Sequence, residues 1–150
     1  NISAQSTEKE LDQAELMKQW IGDREMEMAG DSTFVMKTTA FNNGLYFVQE
    51  QKVNGNVFAT WKGTSGLSAD KNMIMSSSLG LNGILFIDMG KFVEKHTFIA
   101  DRYFGNTTYA AAQLMVKFTP EAITAQFKWR GEGMNWPNEW GPKMIFKKTD

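Results

Sequence analysis

The only histidine of the chain, His96, is the side chain best suited to acid–base or metal chemistry. We predict a strand over residues 92–101, in which His96 alternates with Glu94 and Phe98, so that these side chains share one face. A Glu–His pair on one face can transfer protons, and a lone imidazole can serve as an axial haem ligand. Neither a nucleophile nor a second metal ligand stands at a useful spacing. We therefore favour a histidine that lies at the surface, or one whose hydrogen bonds are satisfied in the core. We predict no catalytic residue, no metal and no cofactor.

The ten methionines are many for a chain of 150 residues. Met26-x-Met28 and Met73-x-Met75 each put two thioethers on one face of a strand, where soft Cu(I) could bind. Packing is favoured over copper, because flexible thioethers fill irregular gaps and line adaptable apolar binding surfaces. The absence of cysteine excludes disulfides, thiolate metal sites and a cysteine nucleophile. Three charged residues near predicted turns are interpreted as turn residues: Asp88, Asp101 and Arg102.

Large side chains cluster in a Gly- and Pro-containing segment late in the chain: Trp129, Met134, Trp136 and Trp140. We predict that this segment joins the last two strands and so lies at one end of the fold. There the aromatic rings would form a lid or a stacking platform for a ligand. The alternative is that they plug the bottom of the barrel.

An amphipathic helix is predicted near residues 7–20. Thr7-x-x-Glu10 fits a capping box, in which each side chain bonds an otherwise unpaired backbone N–H at the helix start. Gly22 is a natural stop, since glycine tolerates the left-handed conformation that ends helices. The apolar stripe at helical spacing consists of Leu11, Ala14, Met17, Trp20 and Ile21.

The rest of the chain alternates short β-prone runs with turn signals about every ten residues. Asn42-Asn43-Gly44, Asn54-Gly55 and Asn82-Gly83 are the strongest hairpin turns, because Asn and Gly accept positive φ. Consecutive hairpins without crossover helices predict an antiparallel sheet, and closure removes its edges. The fold class is therefore all-β, an antiparallel up-and-down β-barrel of about eight to ten strands with one short N-terminal α-helix. The predicted strands are residues 23–29, 33–42, 45–53, 57–66, 72–79, 84–90, 92–101, 107–118, 122–130 and 140–148.

Alternation sorts the side chains of each strand into two faces but does not say which face is inside. Phe34, Met36 and Thr38, for example, share one face of their strand. Several candidate inward faces mix apolar groups with hydroxyls and amides, as at Gln113 and Gln126. A purely structural core would seldom hold so many polar groups, which favours an interior that holds a ligand. The alternative is that these polar residues face solvent.

Charge and hydropathy limit the partners of the chain. The 16 basic and 17 acidic residues nearly cancel, and Lys147-Lys148, the densest basic spot, is too small for a nucleic-acid footprint. No stretch approaches the roughly 20 apolar residues of a membrane span. At 150 residues the chain fits one domain, which we place at residues 7–150.

The beginning of the chain, Asn1-Ile2-Ser3-Ala4-Gln5, has no initiator Met. Its Ser3-Ala4-Gln5 is similar to the small-residue end of a secretory signal peptide. We therefore expect a periplasmic or secreted protein whose residues 1–6 form a disordered or post-signal-peptide segment. The alternative is a chain trimmed for convenience.

The order of these features resembles the calycin superfamily, and in particular the small lipocalin-like barrels that many bacteria export. Those chains have a short helix, then a Gly-x-Trp-Glu start of the first strand, then a meander of hairpins. The corresponding residues here are Trp20-Ile21-Gly22-Asp23-Arg24-Glu25. Gly22 and Glu25 match, Arg24 stands where the family has its Trp, and Trp20 would supply the aromatic plug from the helix. The resemblance implies carriage of small, mostly apolar molecules, whereas the haem barrels of the superfamily need a histidine later in the chain than His96.

We expect a non-enzymatic, exported binding protein that holds a small hydrophobic or amphipathic molecule inside the barrel. Met and Phe side chains would bury the ligand, and a few Thr, Gln or Tyr groups would orient it. A second hypothesis is a protein-interaction module with a filled barrel and an exposed apolar patch. A third is an enzyme or haem protein that works through His96. The candidate wall and mouth residues are Phe34, Met36, Phe86, Trp129, Trp136 and Trp140.

Overall fold

The computed structural model describes residues 10–149, except for the side chain of Asn82. One short α-helix, α1 (Gln13–Met17), continues into a 3₁₀ turn (Lys18–Trp20), and a second 3₁₀ turn spans Leu81–Gly83. The strands are β1 (Gly22–Met28), β2 (Ser32–Phe41), β3 (Gly44–Val53), β4 (Asn56–Leu67), β5 (Ile74–Leu79), β6 (Leu85–Glu94), β7 (Thr97–Phe104), β8 (Ala112–Phe118), β9 (Ala122–Trp129) and β10 (Met144–Lys148).

The ten strands form one closed antiparallel barrel in which each strand pairs with its neighbours in the chain and β1 pairs with β10. This arrangement confirms the predicted fold class. Two of the Asn and Gly turns are formed as predicted: Asn42 and Asn43 have φ of 45° and 63°, and Asn54 and Gly55 have φ of 49° and 77°. Positive φ at both central residues matches the right-handed twist of the flanking strands, so these two-residue turns set the register of their hairpins. The third predicted turn differs, because Gly83, with φ of 71°, ends the 3₁₀ turn between β5 and β6.

The helix begins later than the sequence suggested. Glu10, Leu11 and Asp12 are not helical, and the Asp12 carboxylate accepts the cap hydrogen bond from the Glu15 N–H at 3.1 Å. The predicted start at residue 7 is therefore wrong, because Asp12 supplies the cap. Thr7 itself, and with it the proposed capping box, lies outside the described residues, as does the predicted segment 1–6.

The boundaries of four strands differ from the prediction by four residues or more, among them β10, since residues 140–143 precede it. Strand β6 continues through Gly90 to Glu94, and the reversal into β7 falls at Lys95-His96. The predicted strands 84–90 and 92–101 leave a break at residue 91, but Gly90 lies inside β6 and is buried opposite Ala100. A Cβ at Gly90 would lie 2.2 Å from the Ile99 carbonyl oxygen, so this glycine serves a close strand approach and not a turn. Likewise, residues 107–111 precede β8 and are not part of it.

The best-packed part of the interior lies against β8, β9 and β10. The fully buried side chains there include Val116 and Ile123, which are 0% and 1% exposed. Phe118, from the same wall, packs against Trp20 of the 3₁₀ turn with ring centroids 4.9 Å apart. Helix α1 and its 3₁₀ turn thus close one end of the barrel, which we call the helix end. The opposite end carries the β5–β6, β7–β8 and β9–β10 connections.

Candidate ligand-binding site

An interior cavity lies between the packed core and the inward face of β3–β7. The volume open to the centre of a water molecule is about 100 Å³, which is more than a site for a single water requires. The cavity therefore has room for several waters or for one small organic molecule. Its lining residues are Trp20, Met36, Thr38, Leu45, Phe47, Gln49, Ser65, Ile74, Ser76, Ser78, Asp88, Phe98, Arg102 and Leu114.

One side of the cavity is polar, and its residues form a row across four neighbouring strands. Ser65 of β4 pairs with Ser76 of β5, Ser76 with Asp88 of β6, and Asp88 with Arg102 of β7. Because residues directly opposite in a sheet point to the same face, all four side chains face inward together. The two serine hydroxyls are 2.6 Å apart. We call Ser65, Ser76, Asp88 and Arg102 the polar row.

Asp88 and Arg102 form the strongest interaction of the polar row. The Arg102 Nε and Nη2 donate to the two carboxylate oxygens of Asp88 at 2.7 and 2.9 Å. The guanidinium carbon also lies 5.4 Å from the ring centroid of Phe86 and 5.2 Å from that of Phe127. Carboxylate and rings together fix the orientation of the guanidinium group. The side chains remain 17% exposed at Asp88 and 22% at Arg102, so both are open to the cavity.

The rest of the cavity lining is mostly apolar. Its most buried apolar members are Met36, Leu45, Ile74, Phe98 and Leu114, and each is less than 10% exposed. Two glycines of the barrel wall leave space for neighbouring aromatic rings. A Cβ at Gly63 would lie 2.5 Å from the Phe47 ring, and one at Gly80 would lie 2.5 Å from the Trp61 ring. The rings of Phe47 and Trp61 therefore occupy space that a side chain at Gly63 or Gly80 would take from them.

The helix end is closed by specific polar contacts. The buried Gln13 side chain accepts from the Phe92 N–H at 2.7 Å and donates to the Phe92 carbonyl at 3.1 Å, so it pairs with β6 as a strand would. Arg24 donates to the carbonyls of Trp20 and Gln19 at 2.7 and 2.9 Å, and its burial lowers the pKa of the guanidinium below its ordinary value. Trp20 reaches the cavity wall from this end. Arg24 thus holds the 3₁₀ turn and Trp20 against the helix end of the barrel.

The predicted wall residues are brought to different parts of the interior. Met36 lines the cavity. Phe34 shares its inward face but packs between Trp61 and Phe146, at centroid distances of 5.6 and 5.8 Å. Phe86 lies 5.2 Å from Phe104, above the guanidinium of the polar row.

The predicted mouth residues lie at the end opposite the helix. Trp129 is 54% exposed and stacks on Phe127 at 5.7 Å. Trp136 covers the guanidinium of Arg130 at 4.0 Å, and Trp140 lies 4.7 Å from the Lys128 ammonium. Neither Trp136 nor Trp140 is among the described residues that line the cavity. Their role as ligand contacts stays a prediction.

His96 does not share a strand face with Glu94 and Phe98. It lies in the exposed turn between β6 and β7, while Phe98 is buried in the core, so the predicted Glu–His–Phe face is wrong. The reason is the register shift between Phe92 and Glu94, followed by the reversal at residues 95–96. The imidazole Nδ1 lies 2.8 Å from the side-chain oxygen of Gln19. Within residues 10–149, no cluster of three or more His, Asp or Glu residues could hold a metal ion.

Sequence reasoning missed the polar row. Asp88 and Arg102 had been assigned to turns, although they lie within paired strands. The period-2 pattern that runs from Phe86 through Asp88 to Gly90 was the available signal. The sequence also suggested that Gln113 and Gln126 point inward. They lie on the outer face, because each alternates with a buried neighbour, Ala112 and Ala125.

Comparison with known proteins identifies the fold alone. No protein-family model matches the chain, and no curated protein matches it either. Among solved structures, the crystal structure of Rv2717c from M. tuberculosis is similar, with a TM-score of 0.64 and 9% sequence identity. The similarity covers 93% of this chain and 99% of that one. Within the described residues, no helix is long and apolar enough to cross a membrane. The chain is therefore a closed ten-strand antiparallel barrel with the same overall layout as Rv2717c.

Proposed function

We propose that the protein binds one small amphipathic molecule inside its barrel and does no chemistry on it. The observation that carries this proposal is the mixed lining of the cavity, in which apolar side chains stand next to the polar row. Small-molecule sites in proteins have this composition, with apolar walls that supply contact area and a few polar groups that fix orientation.

The polar side of the cavity supports binding more than packing. The hydroxyls of Thr38 and Ser78 line the cavity together with the polar row. No buried side-chain nitrogen or oxygen of the described residues lacks a hydrogen-bond partner. We therefore propose that the hydroxyls facing the cavity are available to water or to a ligand, which is how a few polar groups orient a molecule in a binding site.

The main alternative, an interaction module with a filled barrel, predicts an exposed apolar patch. The β5–β6 connection does expose such residues: Leu79, Leu81, Ile84 and Leu85. That connection lies at the end of the barrel opposite the helix, so a partner docked there would meet the barrel rim. This alternative requires a filled interior, whereas the barrel has an interior cavity. We therefore rank ligand binding first.

The resemblance to lipocalin-like carriers belongs to the proposal as well. Lipocalin barrels have eight strands, whereas this barrel has ten, so carriage is proposed here on the cavity and not on membership of that family. Export to the periplasm or the cell exterior also stays a proposal, and fractionation of cells that express the full-length gene product tests it.

A matched pair of β5 variants tests ligand binding. Ser78 lines the cavity, whereas Ser77, the next residue, is exposed on the outer face. We expect Ser78→Phe to fill the cavity and weaken binding of the neutral fluorescent probe N-phenyl-1-naphthylamine by at least about tenfold. Ser77→Phe should leave the affinity unchanged. Equal affinity in both variants and the parent, or no binding by the parent, would show that the interior does not take up such molecules.

A further inference from the structure

We infer that the ligand's head group is neutral and both donates and accepts hydrogen bonds, as a primary amide does, and that Asp88 enforces this choice against carboxylates. The inference rests on the proposed function, since it names the class of ligand that the same cavity takes. It follows from the charges, the unused hydrogen-bonding positions and the size of the cavity.

The charge of the cavity is balanced before any ligand arrives. Among the described residues that line it, Asp88 and Arg102 are the ones with a formal charge, and they neutralise each other through two hydrogen bonds. The nearby cation Arg24 directs its guanidinium to the carbonyls of Gln19 and Trp20. A carboxylate placed in the cavity would therefore lose its hydration without gaining an unpaired cation, and such burial of a charge is unfavourable.

Any head group that reaches Arg102 must also lie close to Asp88. The two side chains are joined at 2.7 Å, so an anion on the free side of the guanidinium sits within roughly 5 Å of the Asp88 carboxylate. At that distance, in a poorly hydrated interior, like charges repel strongly. Asp88 thus offsets the attraction that Arg102 alone would exert on an anion.

A neutral head group that donates and accepts hydrogen bonds is not repelled by the Asp88 carboxylate. Arg102 Nη1 makes no hydrogen bond to other parts of the described chain, and its N–H groups are available to an acceptor. The Asp88 carboxylate can accept further hydrogen bonds, since an ionised carboxylate offers about four acceptor positions. The Ser76 hydroxyl stands beside Asp88 on the neighbouring strand. An amide carbonyl therefore fits Arg102 while its NH₂ group fits Asp88.

The cavity volume sets the length of the apolar part. With about 100 Å³ open to the centre of a water molecule, the cavity suits a single slender chain with a small head group. Octanamide and octanoate are suitable probes, because they have nearly the same shape and differ in charge.

The test compares these two compounds by calorimetry at pH 8 on three proteins. The unmodified protein should bind octanamide at least about tenfold more tightly than octanoate. Asp88→Asn leaves the positive charge of Arg102 unpaired, so it should shift this ratio toward octanoate by at least about tenfold. The control is Asp101→Asn, since Asp101 lies on the outer face of β7 and accepts from Gln113 at 3.1 Å. Asp101→Asn should keep the ratio of octanamide to octanoate affinity that the unmodified protein has.

The outcomes separate this inference from the proposed function. Tighter binding of octanoate by the unmodified protein would overturn the inference without any variant, even where Asp88→Asn does not fold. An unchanged ratio in a folded Asp88→Asn protein would overturn it too, as would binding of N-phenyl-1-naphthylamine that neither octyl compound can displace. If the naphthylamine probe also fails to bind, the proposed function itself fails.

Discussion

The two halves of this barrel differ in what fills them. Inward side chains of β8, β9 and β10 are apolar and almost fully buried, as at Val116 and Ile123, which are 0% and 1% exposed. Inward side chains of β4 to β7 include the polar row, in which Asp88 and Arg102 remain 17% and 22% exposed. The strands of both halves form the same continuous hydrogen-bonded sheet, so the difference lies in the side chains alone.

This difference suggests a division of labour between stability and binding. Apolar surface removed from water supplies most of the stability of a domain, and more members of the buried core cluster come from β8–β10 and the helix than from β4–β7. The β4–β7 half contributes less to packing and leaves space next to polar groups. Substitutions in the first half should therefore change unfolding free energy, and substitutions in the second should change ligand affinity.

The largest expected effect is on stability in the packed half. Phe118 is 6% exposed and contacts the rings of Trp20 and Phe92 at 4.9 and 5.5 Å. Phe118→Ala should lower the free energy of unfolding in urea by about 3–5 kcal/mol, as other buried Phe truncations do. Ser76→Ala, in the open half, should cost less than about 1 kcal/mol, because its lost partner is one serine hydroxyl. Similar costs for the two variants would remove the distinction between the halves.

The next effect concerns the ion pair of the open half. Arg102→Met leaves Asp88 without its cation in a partly buried position. We expect a loss of about 1–3 kcal/mol in urea unfolding, below the range for fully buried pairs, because solvent reaches both groups. The double variant Asp88→Leu, Arg102→Met should recover part of that loss. If the double variant loses as much as the two single variants combined, the groups do not act as a pair.

A somewhat smaller effect is expected where the helix joins the packed half. Gln13→Ala leaves the buried N–H and C=O of Phe92 without their side-chain partner, which should cost about 1–3 kcal/mol. The matched control is Gln19→Ala, because Gln19 bonds the exposed Lys95 carbonyl and His96. It should cost less than about 1 kcal/mol. Thermal unfolding of both variants measures the difference, and a greater loss at Gln19 would contradict the closure described here.

The smallest effect is expected for the tryptophans outside the cavity. Trp136 and Trp140 each cover a surface cation, an interaction typically worth about 0.5–1 kcal/mol at exposed sites. Their joint replacement by Ala should change the affinity for octanamide by less than about threefold. A larger loss would show that the β9–β10 connection contributes to the ligand site, as the sequence prediction holds.

The barrel could be predicted from sequence because its turns carry local signals. Asn42-Asn43 and Asn54-Gly55 adopt positive φ, which other residues avoid, and those turns fix the register of three hairpin strands. The alternation of Phe34, Met36 and Thr38 also predicted a common face correctly, since all three point inward.

The candidate site could not be predicted because it depends on pairing between strands. The prediction ended a strand at residue 90, although β6 continues through Gly90, whose missing side chain permits close approach to Ala100. The true reversal at Lys95-His96 contains neither Gly nor Asn nor Pro. That error separated Asp88 from Arg102, which meet only when β6 and β7 are paired in register.

The location of the ligand can be measured directly through the methionine methyl groups. Met36 lines the cavity and is 4% exposed, whereas Met75 lies on the outer face of β5 and is 40% exposed. In protein labelled with ¹³C at the methionine methyls, with signals assigned through Met36→Leu and Met75→Leu, octanamide should shift the Met36 signal in a saturable way and leave Met75 unchanged. A saturable shift at Met75 with Met36 unmoved would place the ligand on the surface and contradict binding inside the barrel.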